Sequence, residues 1–329
     1  MKRILSLFTL IAMFLLVSCD ILGIGGEPDI PGKIVFSARD GNNTEQIYTM
    51  NADGSGVRQL TYLEDDGAFD PSWSPDGRQI VFSTSLRSSS AGFSLYVMDA
   101  DGSNKRALHE REGSHIPTPG SNPKWSPNGS KIVWHQCVNC QIATNYELFV
   151  YDFETDSVTQ LTDEYASNRN PSWNPDGSRI VFSTDRDYFD ADTLRFRQDL
   201  YAVDADGTNL KRLTRTGYAR QPIWHPSGAS VTFRSTQYPS GLYQVDFQSG
   251  EIEEIKRDLS PGVRLFPLTW SPDGRQLLIF SWDANYPREN NLLIWNIEDE
   301  ELEVIYSRPS YDNSNPFLSG ADWFYPAEH

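Results

Sequence analysis

The chain has 329 residues, of which 38% are hydrophobic, 22% charged and 12% aromatic. This composition is that of a globular protein and excludes a disordered chain. The formal net charge of −17 argues against nucleic acid and bare anionic membrane surfaces as ligands, because like charges repel.

The first segment, residues 1–18, has the layout of a signal peptide rather than of a folded element. Two basic residues precede an apolar stretch at 4–17 that is too short for a comfortable membrane span. The stretch ends in Leu-Val-Ser-Cys, which resembles a bacterial lipobox and implies cleavage before Cys19 and lipidation of that residue. The alternative is an ordinary signal with a chance cysteine. Residues 19–32 would then be a flexible tether reaching roughly 20 Å by random-coil scaling.

The remaining residues, 33–329, contain an internal repeat of about 50 residues. Its marker is a tryptophan beside a short turn signature such as WSPDG, WSPNG, WNPDG or WHPSG. The marker tryptophans are Trp73, Trp125, Trp173, Trp224 and Trp270, and Trp323 stands without the turn signature near the C-terminus. Repeats of this length, built from short apolar runs and Gly/Pro turns, are typical of β-propellers.

Three further strand patterns recur between the tryptophans. Near-continuous apolar runs, which indicate sheets buried on both faces, begin at Ile34, Ile80, Ile132, Ile180, Val231 and Leu278. A second set of runs begins at Ile47, Leu95, Leu148, Leu200, Leu242 and Leu292. A third and weaker set begins at Arg58, Arg106, Thr159, Arg212, Glu253 and Leu302. Four strand types, each present six times, predict an all-β fold: a six-bladed β-propeller with four-stranded blades.

The order of these patterns predicts how the ring closes. The first run, at Ile34, has no tryptophan strand before it, and the last tryptophan strand, at 321–324, has no run after it. We therefore expect the C-terminal strand to complete the first blade, since closure removes exposed sheet edges.

The elements WSPDG, IVFS, LYVMDADGSN and RQLT recur in this order and in phase over about 290 residues. In this combination they resemble the TolB-type propeller, without the additional N-terminal domain that TolB carries. The resemblance implies a non-enzymatic binding module of the bacterial cell envelope that docks another protein, as TolB docks a peptidoglycan-associated lipoprotein. It does not transfer that partner.

Two motifs resemble ligand-binding patterns, but their details favour a structural role. The DADG elements could suggest calcium, but an EF-hand loop needs glycine at its sixth position and glutamate at its twelfth, whereas glycine is fourth here. The six tryptophans could suggest a sugar-stacking row, but their fixed place beside a turn favours packing between blades. We expect no metal and no cofactor.

Cys137 and Cys140 form a CxxC pair after a predicted strand. In an exported protein the pair favours a local disulfide, which would constrain the unfolded chain by roughly 2 kcal/mol at most. A redox pair, or a metal site with His135, is the alternative; Cys19 is the one other cysteine, and no thioredoxin-like βαβ pattern surrounds the pair.

Loop lengths predict which face of the disc carries function. In a four-stranded meander the WSPDG and DADG turns share one face, and the other two connections share the opposite face. The second set is longer and comprises residues 84–93, 109–121, 136–146, 184–199, 257–266, 282–291 and 308–319. Because function concentrates on long loops held by a rigid scaffold, we place the binding surface there, with variable solvated decoration as the alternative for any single loop.

The predicted binding site lies at the channel mouth on this long-loop face. Just before each inner strand stand Asp70, Asn122, Asn170, Gln221, Phe266 and Gly320, with Arg169, Arg220 and Arg264 close by. Amides and guanidinium groups could hold a carboxylate or a loop of a partner, although turn and capping preferences explain the Asn and Asp residues equally well. Candidate aromatic anchors on the same face are Tyr188, Phe189, Trp282 and Tyr286, with partial burial against their own loops as the alternative.

These observations favour a lipid-anchored, extracytoplasmic scaffold, monomeric and without catalytic residues, that binds another cell-envelope protein or peptide. No GxSxG and no HExxH sequence occurs. The alternative is a carbohydrate-binding or lyase-like propeller with a glycan ligand, since some propellers with similar repeats are pectate-fragment lyases that use a histidine-held metal. A third reading, an accessory propeller of a prolyl oligopeptidase-like enzyme, would require a hydrolase domain on the same chain.

Overall fold

The computed structural model describes residues 32–64, 66–85, 93–108, 120–138, 145–188, 197–237, 239–283, 288–310 and 320–325. The predicted signal peptide, Cys19 and the tether up to residue 31 lie outside the described residues. Within the described ranges, the fold contains no helix with the length and apolar character that a membrane crossing requires.

Strands of four types build the described fold. The inner strands, which carry the tryptophans, are β4 (Ala68–Trp73), β8 (Ser121–Trp125), β12 (Arg169–Trp173), β16 (Ala219–Trp224), β20 (Val263–Trp270) and β24 (Ala321–Phe324). The second strands are β1 (Lys33–Arg39), β5 (Gln79–Ser85), β9 (Lys131–Cys137), β13 (Arg179–Thr184), β17 (Ser230–Ser235) and β21 (Gln276–Asp283). The third strands are β2 (Glu45–Asn51), β6 (Phe93–Asp99), β10 (Tyr146–Asp152), β14 (Asp199–Asp204), β18 (Gly241–Asp246) and β22 (Arg288–Asn296). The outer strands are β3 (Arg58–Gln59), β7 (Arg106–Ala107), β11 (Ser157–Gln160), β15 (Lys211–Arg212), β19 (Ile252–Arg257) and β23 (Leu302–Ser310).

These strands form six antiparallel four-stranded sheets, each with one strand of every type. The first sheet has the order β24-β1-β2-β3, with Ile34 of β1 opposite Trp323 of β24. The predicted six blades and the closure by the C-terminal strand are both confirmed. Closure pairs the edge of β1 that would otherwise present free backbone groups.

The tryptophans pack between neighbouring blades, as predicted. Trp73 is 5% exposed and lies in a cluster with Val35 and Ile47 of the preceding blade. The indole of Trp173 donates to the carbonyl of Lys124 in the preceding blade at 3.1 Å. Because such ring faces are covered by protein, the tryptophans are not a sugar-stacking row.

The turns after the inner strands owe their shape to the SPDG chemistry. The hydroxyl of Ser74 donates to Asp76 at 2.6 Å, and the same carboxylate accepts the N–H of Arg78. Gly77 has a φ of +67°, and a Cβ there would lie 2.4 Å from the ring of Phe324. Glycine is therefore required both for the left-handed backbone and for the close approach of the closing strand.

The DADG elements are likewise turns. Asp101 accepts the N–H of Ser103 at 2.8 Å, and Asn104 donates to Asp99 at 2.7 Å. Both kinds of turn lie on one face of the disc, which we call the tight-turn face. The connections between second and third strands, and from blade to blade, lie on the opposite, long-loop face.

The long-loop face differs from the prediction in the sixth blade. Its strands β20 to β23 are longer than most of their counterparts and extend into three predicted loops, so that Arg264, Phe266 and Trp282 stand on strands. Arg264 pairs with Trp282, and Trp282 pairs with Asn290, in one row across the sheet. Cross-strand pairing, which loop lengths do not report, extends the strands of this blade into segments predicted as loops.

Candidate functional site

A narrow canal of about 200 Å³ is lined by residues of all six inner strands. Asp70, Asn122, Asn170 and Gln221 enter its lining with φ values of +49° to +55°. The prediction placed these residues just before the inner strands; instead they lie within the strands, at bulges where the pairing register shifts. A bulge aims one extra residue away from the ladder, which is why these side chains face the canal.

Two explanations were offered for these residues: a binding role of their side chains, and the turn and capping preferences of Asn and Asp. Their left-handed backbone helps to distinguish the two. Asn and Asp tolerate positive φ, so backbone preference alone can account for Asp70, Asn122 and Asn170. Gln221 has no such preference, yet it has a φ of +51°. The backbone of Gln221 is therefore strained, and its side-chain amide faces the canal. Retention of such strain favours a role for the side chain.

Asp70 is the acidic member of the canal. Its carboxylate accepts the backbone N–H of Asn122 at 3.2 Å. Burial raises the pKa of Asp70 to about 6, although the charge of Lys124 and the Asn122 hydrogen bond act in the opposite direction. The carboxyl group therefore keeps its proton to a higher pH than an exposed aspartate does.

A larger cavity of about 560 Å³ opens above the canal on the long-loop face. Four arginines line it together with amides and hydroxyls, and we call it the arginine cavity. Its lining is Ser167, Arg169, Asn170, Asp185, Gln198, Arg220, Gln221, Arg234, Thr236, Ser240, Arg264 and Phe266. Six residues predicted for the mouth thus meet in one cavity: Arg169, Asn170, Arg220, Gln221, Arg264 and Phe266.

Three of the guanidinium groups lie over aromatic rings. The guanidinium carbon of Arg169 is 3.7 Å from the ring centroid of Tyr146. The corresponding distances are 4.6 Å from Arg234 to Phe266 and 4.9 Å from Arg264 to Trp282. Trp282 was predicted as an aromatic anchor and Phe266 as a residue of the channel mouth; in this structure each contacts an arginine.

Arg234 forms the buried base of the cavity and is 4% exposed. Its guanidinium forms an ion pair with Asp258 at 3.3 Å and donates to the carbonyl of Leu265. Asp258 in turn accepts the hydroxyl of Ser240 at 2.6 Å. This network fixes the cation before any ligand arrives.

The arginines also affect one another. Burial and the charge of Arg169 lower the pKa of Arg220. Burial lowers the pKa of Arg234, opposed by Asp258 and reinforced by the charges of Arg264 and Arg220. Arginine stays charged under such perturbation, so like charges are held together in a partly desolvated space.

Sequence reasoning missed Arg234, Tyr146 and Asp258. One signal for Arg234 was present: alignment of the repeats places it where Ser37, Ser83, His135, Ser183 and Ser281 stand in the other blades. Tyr146 and Asp258 lie in the predicted long loops 136–146 and 257–266, but nothing in the repeat marks these two residues within them.

The other predicted anchors and the two cysteines are not among the described residues that line this cavity. The hydroxyl of Tyr188 donates to Asp199 at 2.6 Å, within a network that includes Arg212. Phe189 and Tyr286 lie outside the described residues. Cys137 ends β9 and is disulfide-bonded; Cys140 lies outside the described residues, so the pairing of the two stays a prediction.

Exposed apolar side chains also mark the long-loop face. Tyr165 is 91% exposed, Tyr62 73%, Leu259 50% and Val138 49%. Tyr165 lies in the link that leads to Arg169. The described residues hold no group of three or more His, Cys, Asp or Glu side chains placed to bind a metal.

Six four-stranded blades around a polar canal, with a cationic cavity at its mouth, define this protein as a six-bladed β-propeller. Residues 83–322 match the family described as TolB beta propeller domain. The chain therefore belongs to the TolB beta propeller family.

Individual relatives are similar over smaller shares. The Tol-Pal system protein TolB of Zymomonas mobilis is 42% identical over 84 residues, which is 25% of this chain and 16% of that protein. The chain thus matches only about a sixth of the length of this curated relative.

Two solved structures share the fold at low identity. TolB from Acinetobacter baumannii superposes with a TM-score of 0.65 at 16% identity, over 89% of this chain and 66% of that chain. An oligogalacturonate lyase from Vibrio parahaemolyticus superposes with a TM-score of 0.57 at 16% identity, over 82% and 78% of the two chains. Identities this low show the fold alone.

Proposed function

We propose that this protein is a non-enzymatic, lipid-anchored scaffold of the bacterial cell envelope that binds another protein through its long-loop face and channel mouth. The observation that carries the proposal is the arginine cavity, a cationic and pre-ordered site in a chain of net charge −17. Cationic and aromatic side chains around a recess are typical of protein-binding hot spots.

Two further observations support a protein as the ligand. Tyr165 and Tyr62 are exposed on the same face, where a partner could cover them. The relative from Zymomonas mobilis is named as a protein of the Tol-Pal system. By analogy we assign this chain a role in an envelope assembly.

The strand order gives the anchor a direction. Lys33, the first residue of β1, pairs with Asn51 beside a DADG-type turn and with Phe324 at the end of β24. The chain therefore enters the propeller on the tight-turn face. If Cys19 is lipidated, the tether draws this face toward the membrane, and the arginine cavity points away from it.

The lipid anchor has a direct test. We expect the mature protein to begin at Cys19, to carry an acyl mass and to fractionate with membranes. The Cys19→Ser variant should lose the acyl mass and leave the membrane fraction. Membrane association that persists unchanged in this variant would contradict the anchor.

Docking is tested by photo-crosslinking in intact membranes. A photoreactive residue at position 165 reports the long-loop face, and one at position 275 reports the tight-turn face, where Arg275 is exposed. We expect one protein to crosslink from position 165 and not from position 275. Equal yields from both positions, or no adduct from either, would refute the assignment of the face.

The alternative, a carbohydrate-active propeller, rests on the fold likeness to oligogalacturonate lyase. Uronate oligomers incubated with the purified protein and a transition metal would then yield unsaturated products. We expect none.

A further inference from the structure

Two arginines of the arginine cavity, Arg169 and Arg264, are held by aromatic rings in a way that leaves their charge available to an anion. An ion pair neutralises a guanidinium group, whereas an aromatic ring orients it and leaves its charge in place. Arg169 lies over Tyr146, and Arg264 lies over Trp282. Nε of Arg169 donates to the hydroxyl of Ser167 at 2.7 Å, so the terminal nitrogens of this guanidinium are the donors that would form paired hydrogen bonds with a carboxylate.

The charge balance of the described lining is positive. Four arginines line the cavity with one aspartate, Asp185, and Asp258 adds a second carboxylate beneath Arg234. Asp185 accepts the backbone N–H of Ser167 at 2.7 Å. An incoming anion would relieve the mutual repulsion that Arg169, Arg220 and Arg264 impose on their neighbours.

The aromatic rings argue against a sugar as the source of that anion. Carbohydrates stack on open aromatic faces, and here guanidinium groups lie over the rings of Tyr146, Phe266 and Trp282. The remaining polar lining is rich in amides: Asn170, Gln198 and Gln221. Each amide offers both a donor and an acceptor, which suits the alternating groups of a peptide backbone.

We infer that the arginine cavity recognises an acidic peptide segment with neighbouring carboxylates, its backbone held by the amides and its side chains by the guanidinium groups. This inference rests on the proposed docking function and names the chemistry of the partner. The cavity volume of about 560 Å³ lies within the range of sites that enclose a few side chains.

The test uses the propeller with short synthetic peptides as probes. One peptide carries two adjacent glutamates, its control carries two glutamines, and a third probe is a short uronic acid oligomer. We expect the glutamate peptide to bind more tightly than the glutamine peptide, and to weaken as salt rises because screening reduces charge attraction.

Three single variants locate the site. Arg264→Gln removes an exposed arginine of the cavity, and Arg169→Gln removes a half-buried one. Each should weaken the glutamate peptide by about tenfold, because a charge-assisted hydrogen bond is lost. Arg275→Gln removes the same charge from the tight-turn face and should leave affinity unchanged.

Several outcomes would overturn the inference: equal binding of the two peptides, no binding of the glutamate peptide, an equal loss in Arg275→Gln, or selective binding of the uronate oligomer. The docking function is tested separately, by crosslinking. If crosslinking from position 165 still captures a protein while the glutamate peptide does not bind, docking stands and the acidic segment is wrong.

Discussion

Asp70→Asn should stabilise the protein at neutral pH. In the folded protein burial raises the pKa of Asp70 to about 6 from an ordinary value of 3.8. The folded state therefore binds a proton that the unfolded state has already released, and the free energy of unfolding falls as pH rises from about 4 to about 6. Asparagine removes this burial of charge and keeps the shape of the side chain.

The size of the effect follows from the two pKa values. Roughly two pH units at 1.36 kcal/mol each give about 3 kcal/mol as an upper limit. Because the carboxyl group retains contact with the canal, its charge is not fully desolvated. We therefore expect Asp70→Asn to raise the free energy of unfolding by about 2 kcal/mol at pH 7.5, or Tm by roughly 4 °C. The backbone permits the change, since Asn122 and Asn170 have the same left-handed φ in other blades.

Urea denaturation of both proteins between pH 4 and 8 measures this difference. The gain should be largest above pH 6 and should disappear near pH 4. Asp76→Asn is the matched control, because Asp76 is exposed and the equivalent turn of another blade carries Asn128; its effect should stay below about 0.5 kcal/mol. A neutral or destabilising Asp70→Asn at pH 7.5, or a gain independent of pH, would refute the reasoning.

Three further predictions concern stability. Trp323→Ala should cost about 3–5 kcal/mol in chemical denaturation, since it opens a cavity where the closing strand meets β1; a loss below about 1 kcal/mol would contradict a stabilising closure. Burial lowers the pKa of His135 to about 3, so only the unfolded state gains its proton below pH 6.5. Wild type should lose about 2 kcal/mol of stability between pH 6.5 and 5 through this residue, and His135→Gln should lack that loss; parallel pH profiles would refute it. Gln221→Gly should relieve about 1 kcal/mol of left-handed strain while weakening the glutamate peptide; unchanged peptide binding would show that the amide has no role in recognition.

The fold could be predicted because its signals are local and repeated. Ser74, Asp76 and Gly77 form their turn from contacts within a few residues, and the same turn recurs beside most of the marker tryptophans. The order of strand types fixed the closure of the first blade. Since each blade packs on its neighbours in the same way, one correct repeat gave the whole ring.

The candidate site could be predicted only in part. Arg169, Arg220, Arg264, Asn170 and Gln221 were found because they stand near the start of the inner strands, and every inner strand begins at the mouth. Their interpretation needed the structure, since the bulges that turn Asn170 and Gln221 into the canal depend on the register between strands.

The sequence by itself determined the all-β fold, the blade number, the closing strand and the face that bears the long connections. Only the tertiary structure decided that Arg169 lies over Tyr146, that Arg234 is buried within reach of the charges of Arg220 and Arg264, and that burial raises the pKa of Asp70. The physical reason is the range of the interactions. Turn and strand preferences act within a few residues, whereas stacking, charge repulsion and burial depend on which blades the closed ring brings together.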